Sequence, residues 1–475
     1  MTVLSRIRAA VREVPRANAT GKVARSVGLL LESLGPPARI GEKCVVHSTS
    51  GRPPIVCEVV GFTGERLLLM PFEEVHDVGA GSVVEVVGGQ MTVPVADQML
   101  GRILDGLGQP IDGMAPITAE AHYPVNADPP PALSRRKISQ PLPLGVRALD
   151  ALITCGVGQR MGIFAGPGVG KSSLLGMIAR NTTADINVIA LIGERGREVG
   201  EFVERDLGPE GLKRSVVVCA TSDQPPVLRM RGAQVATAIA EFFRDRGHNV
   251  LLMMDSVTRF AWAQREVGLA TGEPPTRNGY TPSVFAALPR LLERAGNSAT
   301  GSITALYTVL VEGDDMDDPV ASTVRATLDG HIILSRRLAS LGHYPAVDVL
   351  ESVSRVMPQI CDDTHRTMAR EVRAAMAAYR ESEDLINLGA YVAGTNPRVD
   401  RAVTLKEPID ILLRQAEYEP SGLEDTRAAM EEILSIPQPI ADPRQAVAGK
   451  LQMQESAGVQ PAAAGRPQAQ FSSLG

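Results

Sequence analysis

The sequence predicts an α/β protein. A mostly parallel sheet with helices on its faces is preceded by a small barrel and followed by helices. Three observations lead there. From about Leu144 to Ser335, apolar runs alternate with helix-like runs, the pattern of a parallel sheet. Residues 26–96 carry four short apolar or β-branched runs, Ile55 to Phe62, Arg66 to Phe72, Ser82 to Val87 and Met91 to Ala96, with turn signals at Thr63-Gly64 and Gly88-Gly89. That spacing suits a small barrel. From about residue 363 the spacing turns helical, with Met368, Val372, Met376 and Tyr379 on one face.

At 475 residues the chain can bury several cores. Hydrophobic content of 44% and charged content of 21% are ordinary for a globular protein. The net charge of −6 argues against a nucleic-acid binder, whose signature is a basic surface. No apolar run approaches the ~20 residues that span a bilayer, and the first residues lack the apolar core of a signal peptide. The five cysteines, Cys44, Cys57, Cys155, Cys219 and Cys361, are scattered and odd in number. They fit no metal or disulfide spacing and point to a reducing cytoplasm. The seven histidines are dispersed, and none reads as a ligand.

Residues 1–25 carry Arg6, Arg8, Arg12, Arg16, Lys22 and Arg25 against one acid, Glu13, with Leu4, Ile7, Val11 and Val14 at helical spacing. A basic amphipathic helix is expected, suited to a partner or to an anionic membrane surface. The barrel of residues 26–96 carries no chemistry and is expected to serve assembly. A connector rich in proline follows near Pro129-Pro130-Pro131, and the α/β domain is expected over residues 97–362. Within it, Asn187 to Ile192, Ser215 to Thr221, Asn249 to Met254, Gly301 to Val311 and His331 to Ser335 read as buried strands, and Leu228 to Arg246 as a helix ended by Gly247. The helical domain is expected over residues 363–440, broken by Gly394-Thr395-Asn396-Pro397, with helices around Glu407 to Glu417 and Leu423 to Leu434. Residues 441–475 are rich in Ala, Gln, Pro and Gly and are expected to be disordered.

The chemistry centres on Ala165-Gly166-Pro167-Gly168-Val169-Gly170-Lys171-Ser172, which stands between the apolar run Met161 to Phe164 and a helix-like run from Ser172 to Arg180. Strand, glycine loop, Lys-Ser and helix together are the context of a phosphate-binding loop. Glycines let successive amides point inward at phosphate oxygens, and the start of the following helix adds positive potential. Lys171 is placed to reach the β- and γ-phosphates and the Ser172 hydroxyl to ligate Mg²⁺. The nucleotide-binding set is thus Gly166, Pro167, Gly168, Val169, Gly170, Lys171, Ser172 and Ser173. Ala165 stands where a first glycine is usual, which costs little if the backbone there needs no positive φ.

In a parallel sheet, ligands sit beyond the carboxyl ends of the strands. Asp255 ends the apolar strand Val250 to Met254 and is expected to hold Mg²⁺ beside the phosphates. Glu194 follows the strand Val188 to Ile192, where a carboxylate can orient or polarise an attacking water. Glu198 and Glu201 are its rivals, and an ion pair with Arg195 or Arg197 is the plain alternative. Phosphoryl transfer also calls for a cation late in the reaction, often from a neighbouring subunit. Spacing cannot choose it among so many arginines.

These residues resemble the flagellar and type III protein-export ATPases, relatives of the catalytic subunit of the rotary ATP synthase. The likeness rests on Gly158 to Ala165, the loop itself, Gly193 to Val199, Leu251 to Phe260, Glu273-Pro274-Pro275 with Gly279 to Ser283, Val311 to Asp315, and Gly342 to Met357. The resemblance implies a RecA-like P-loop ATPase core between the barrel and the helical domain, assembled as a homohexameric ring that binds ATP and Mg²⁺. It makes Ala165 ordinary at that position, whereas Pro167 is less usual. It implies that Lys171 and Ser172 bind phosphate and Mg²⁺, that Glu194 is the catalytic carboxylate with Arg195 near the γ-phosphate, and that Asp255 is the metal-side acid with Arg259 bordering the site. Tyr344 looks like the aromatic that packs on adenine, and Arg355 like an arginine finger reaching into a neighbour's site. The resemblance further implies a regulatory stator-like partner for the N-terminal helix, and a loop, Glu312 to Asp318, facing a central pore or stalk. It also implies an export gate, export substrates and their chaperones, at a cytoplasmic location on the inner membrane.

Flagellar export and a host-directed injectisome share these motifs, and flagellar export is the favoured reading. A non-hydrolysing ring subunit would lack a carboxylate at Glu194. A hexameric RNA translocase would want a basic N-terminal domain with stacking aromatics, which residues 26–96 do not offer.

Overall fold

A closed six-stranded barrel opens the computed structural model, which describes residues 19–311 and 316–437. Its strands are β1 (Thr20–Val27), β2 (Leu30–Leu34), β3 (Glu42–Val46), β4 (Ile55–Thr63), β5 (Arg66–Pro71) and β6 (Val83–Gln90). They pair antiparallel in the order β1-β2-β5-β4-β3-β6, and β6 closes on β1, so no strand edge is left open. Val23, Leu31, Cys44, Val46, Cys57, Val59, Leu69 and Val84 fill the interior. The barrel therefore begins at Thr20, not at residue 26. Val23 points inward while Lys22 and Arg25 lie in β1, so these two basic residues belong to a strand and not to an amphipathic helix. The rest of that expected helix, residues 1–18, lies outside the described residues, as do the Glu312 to Asp315 part of the acidic loop and the expected tail.

The run Met91 to Ala96 is a strand, but not of the barrel. Its core, β7 (Thr92–Val95), pairs with β9 (Ala121–Pro124) in a separate two-stranded ribbon, because Met91, Val93 and Val95 bury into the core of the following domain. The connector also supplies β8 (Ile103–Asp105), which extends the main sheet at its edge. Glu58 of the barrel and Arg231 of the central domain form a buried ion pair, with Nε donating to Oε2 at 2.7 Å.

The central sheet adds β10 (Arg160–Ala165), β11 (Ile186–Ile192), β12 (Ser215–Ala220), β13 (Asn249–Asp255), β14 (Gly296–Asn297), β15 (Ser302–Leu310), β16 (Gly330–Leu334) and β17 (Val347–Ser354). Its order is β17-β16-β10-β15-β13-β11-β12-β8, with β14 on β15. All neighbours along this order run parallel except β17, which pairs antiparallel with β16 at one edge. β11 and β12 are buried at every position, as strands covered on both faces must be. The named helices of this domain are α1 (Lys171–Asn181), α2 (Gly196–Glu201), α3 (Pro226–Asp245) and α4 (Val257–Ala270).

The chain divides into two compact units. One runs to Arg366 and takes in Leu413–Arg427; the other holds Thr367–Leu412 and the chain from Ala428. The expected domain 363–440 is thus interrupted. Its helices are α5 (Asp363–Asn387), α6 (Pro397–Leu413) and α7 (Leu423–Ser435). No helix spans Glu407 to Glu417. α6 ends at Leu413, and Gln415 turns back to the first unit, where its side chain accepts from the Arg147 amide at 2.9 Å and donates to the Gly145 carbonyl at 2.9 Å.

Candidate active site

Three parallel strands deliver the charged groups to one end of the sheet. β10 leads into the glycine loop, β11 ends just before Glu194, and Asp255 is the last residue of β13. Ala165 closes β10 as an ordinary strand residue paired with Leu310 and Leu334, so it needs no glycine. The left-handed positions of the loop are Gly168 (φ 75°) and Gly170 (φ 88°). Gly170 precedes α1, and no side chain caps that helix. The first amides of α1 therefore face the loop without an intrahelical partner, the arrangement that binds an anion. Val169 is buried beneath the loop, Gly166 is buried, and Pro167, Gly168 and Ser172 are exposed at its rim. Ser173 is half-buried in the first turn of α1.

Lys171 is the hub. Its Nζ donates to Asp255 Oδ1 at 2.5 Å and to Glu194 Oε1 at 3.4 Å. Burial opposes its charge, but attraction to Asp255 and Glu194 outweighs that and holds its pKa above the ordinary lysine value. Asp255 is buried and also accepts from Thr308 Oγ1 at 2.7 Å. Burial, reinforced by the negative charge of Asp255, pushes the Glu194 carboxyl up to about 7. The plain alternative for Glu194 does not hold, since Arg195 pairs with Glu198 at 3.2 Å and Arg197 with Glu201 at 3.5 Å. Arg195 is 81% exposed along its side chain and stands outside the buried cluster.

Arg259 lies in the first turn of α4, whose start is capped by Ser256 accepting from the Arg259 amide at 3.3 Å. Its stem packs on Gly193, where a Cβ would come within 2.8 Å of the Arg259 Cβ. Tyr344 stands against the loop, its ring 3.3 Å from where a Gly170 Cβ would be. The Gln415 amide donates to the Tyr344 carbonyl at 3.0 Å. Arg355 is elsewhere. It follows β17, whose Val347 lies beside Leu334 and whose Ser354 lies beside Gly330, so Arg355 is at the amino end of the parallel strands. The six residues of β10 separate the two ends by about 20 Å.

The structure thus brings together the loop, Lys171, Glu194, Asp255, Arg259 and Tyr344, and leaves Arg195 and Arg355 apart. Sequence reasoning missed Thr308 and Gln415. Thr308 left a signal, a hydroxyl in the apolar strand Ser302–Leu310 one step past the Met254–Tyr307 pair.

A family model described as the ATP synthase alpha/beta family, nucleotide-binding domain, matches residues 145–354. Another, the T3SS EscN ATPase C-terminal domain, matches residues 361–432. The flagellum-specific ATP synthase of Bacillus subtilis (strain 168) is 52% identical over 413 residues, covering 86% of this chain and 94% of that protein. The chain belongs to the ATP synthase alpha/beta family. It is an ATP-hydrolysing enzyme of the branch that holds the flagellum-specific and type III secretion members. The type 3 secretion system ATPase of Xanthomonas euvesicatoria is also 52% identical, over 406 residues, covering 86% of this chain and 92% of that one. Among solved structures, the assembled ATPase EscN in complex with its central stalk EscO, from the type III secretion system of enteropathogenic E. coli, superposes with a TM-score of 0.82. It is 44% identical and covers 87% of this chain and all of that one.

Proposed function

We propose that the chain forms a homohexameric ring that hydrolyses Mg²⁺-bound ATP and energises export of flagellar proteins through a type III apparatus. One observation carries the chemistry: the half-buried lysine of the glycine loop is held between two carboxylates, of which Glu194 titrates near neutrality. The residues suit Mg²⁺. Ser172 and Asp255 offer oxygen donors only, the set a hard cation takes. When bound, Mg²⁺ supplies charge neutralisation on the phosphate oxygens.

The chain's own groups do the rest. Lys171 exchanges its carboxylate partners for phosphate oxygens. Glu194, ionised above its raised pKa, accepts a proton from the attacking water. Arg259 contributes a cation whose buried Nε has no hydrogen-bond partner among the described residues. Tyr344 packs on adenine. Arg195 takes part only after releasing Glu198. Arg355, about 20 Å from its own chain's loop, serves a neighbour's site.

The ring works in the cytoplasm, peripherally on the inner membrane. Among the described residues no helix is long and apolar enough to cross a membrane. Its partners are a central stalk, an export gate, export substrates with their chaperones, and a stator-like subunit that takes the basic N-terminal segment; nucleic acid is not among them. Likeness to the Xanthomonas protein supports a second reading, the ATPase of a host-directed injectisome. A deletion strain swimming in soft agar separates the two. Rescue by the unmodified chain but not by Glu194→Gln supports flagellar export by hydrolysis. Unimpaired swimming in the deletion strain transfers the proposal to the injectisome.

A further inference from the structure

The arginine that borders the site has an unusual support. Arg259 and Trp262 stand one turn apart on α4, on one helix face. The Arg259 guanidinium lies over the indole, 4.6 Å from the ring centroid. It makes no ion pair among the described residues, and its Nε is buried without a hydrogen-bond partner. A guanidinium with no ion pair of its own keeps donors available to an anion. On its other side the Arg259 stem abuts Gly193, next to Glu194, and its positive charge counters the upward push on the Glu194 carboxyl.

The indole is itself fixed. Trp262 Nε1 donates to the Tyr280 hydroxyl at 3.1 Å. Tyr280 is buried, edge-on to Phe285 at 6.0 Å, and carries Arg265 over its ring at 5.4 Å. Tyr280 lies in Gly279-Tyr280-Thr281-Pro282-Ser283, a stretch that carries the family likeness and to which the catalytic cluster assigns no task.

We infer that Trp262, braced by Tyr280, is a positioning residue that holds the Arg259 guanidinium at the γ-phosphate side of the site and beside Glu194. The inference rests on the proposed role of Arg259. A leucine at 262 removes the ring face, and the guanidinium then samples other rotamers. A phenylalanine keeps a face but loses the bond to Tyr280.

Steady-state kinetics across pH test this on the full chain. Trp262→Leu should lower kcat about tenfold, the span of a partly desolvated cation–π contact. KM for ATP should change less, because the cation acts on charge that develops during transfer. The acidic limb of the pH profile should move upward as Glu194 loses a nearby positive charge. Trp262→Phe should recover most of the rate and return the limb towards its original position. Unchanged kcat and an unmoved limb in Trp262→Leu, with Arg259→Ala still impaired, overturn the inference and leave the role of Arg259 standing. Full activity in Arg259→Ala removes that role and the inference with it. Should Trp262→Leu fail to fold, the native protein still decides. Trp262 is the chain's single tryptophan, so Mg²⁺ with a non-hydrolysable ATP analogue that keeps a γ-phosphate should alter intrinsic emission in the unmodified chain and not in Arg259→Ala. Emission indifferent to nucleotide overturns the inference.

Discussion

The two ends of the central sheet treat charge in opposite ways. At the carboxyl end, buried Asp255 and half-buried Glu194 both pair with half-buried Lys171 inside a single chain. At the amino end, Arg355 is exposed, and its side chain has no ion pair or hydrogen bond among the described residues. Charges a chain can satisfy alone become part of its fold. The proposed role of Arg355 in a neighbour's site accounts for a cation left without a partner at the far end of its own sheet.

The strongest way to break this contrast is to remove the exposed cation. Arg355→Ala should lower turnover about 10³-fold or more, the range of arginine fingers, with nucleotide binding and thermal stability nearly unchanged. Mixing Arg355→Ala chains with Lys171→Ala chains should restore part of the activity, measured as phosphate release, because some interfaces then combine an intact loop with an intact arginine. No recovery in mixed assemblies would show that Arg355 acts within its own chain or not at all.

Removing a charge from the paired cluster tests the other end. Glu194→Gln should cost about 10²- to 10⁴-fold in kcat, the usual contribution of a general base, while ATP binding by equilibrium dialysis persists. A buried pair away from the site offers a stability control. Glu58→Ala leaves Arg231 buried without its carboxylate and should destabilise the protein by about 3–5 kcal/mol, read by urea denaturation. Turnover of the folded fraction should stay near the unmodified rate.

The smallest effect sharpens the contrast through pH. With the Glu194 carboxyl near 7, kcat/KM should fall about tenfold for each unit below that value, as the base of the free enzyme becomes protonated. The folded pKa lies above the unfolded one. The contribution of Glu194 to stability is therefore fully present below the unfolded carboxylate range and is lost as pH rises through about 7. Glu194→Gln should remove that component of the stability-versus-pH curve. An acidic limb centred near 4.5 would show that Glu194 is not the titrating base.

How much was legible follows from the range of the signals. The phosphate loop, Asp255 and Glu194 announce themselves because each ends an apolar strand within a few residues of its motif. The strands β11, β12 and β13 are read because burial on both faces leaves continuous apolar runs. β1 is hidden because Val23 is its one large buried side chain and Lys22 and Arg25 stand exposed around it, which mimics a basic helix. β7 read as a barrel strand because local sequence does not say which sheet a strand joins. Arg355 and Tyr344 came from family likeness, since one arginine or tyrosine looks like another until its neighbours are known. The contacts of Gln415 with Arg147 and Tyr344 join positions far apart in sequence, and no local pattern encodes them.

The proposed role of Arg355 in a neighbour's site also sets an arithmetic for assembly intermediates. Two chains side by side complete one interface and leave another loop without its arginine. Each chain added to such an arc brings one more finished site, yet one end always remains unfinished until the arc closes. Specific activity should therefore climb gradually with arc length and take its last step at closure. A regulator that wedges a single interface open would silence one site while sparing the others, and would be visible as a fixed fractional loss and not as an all-or-none switch.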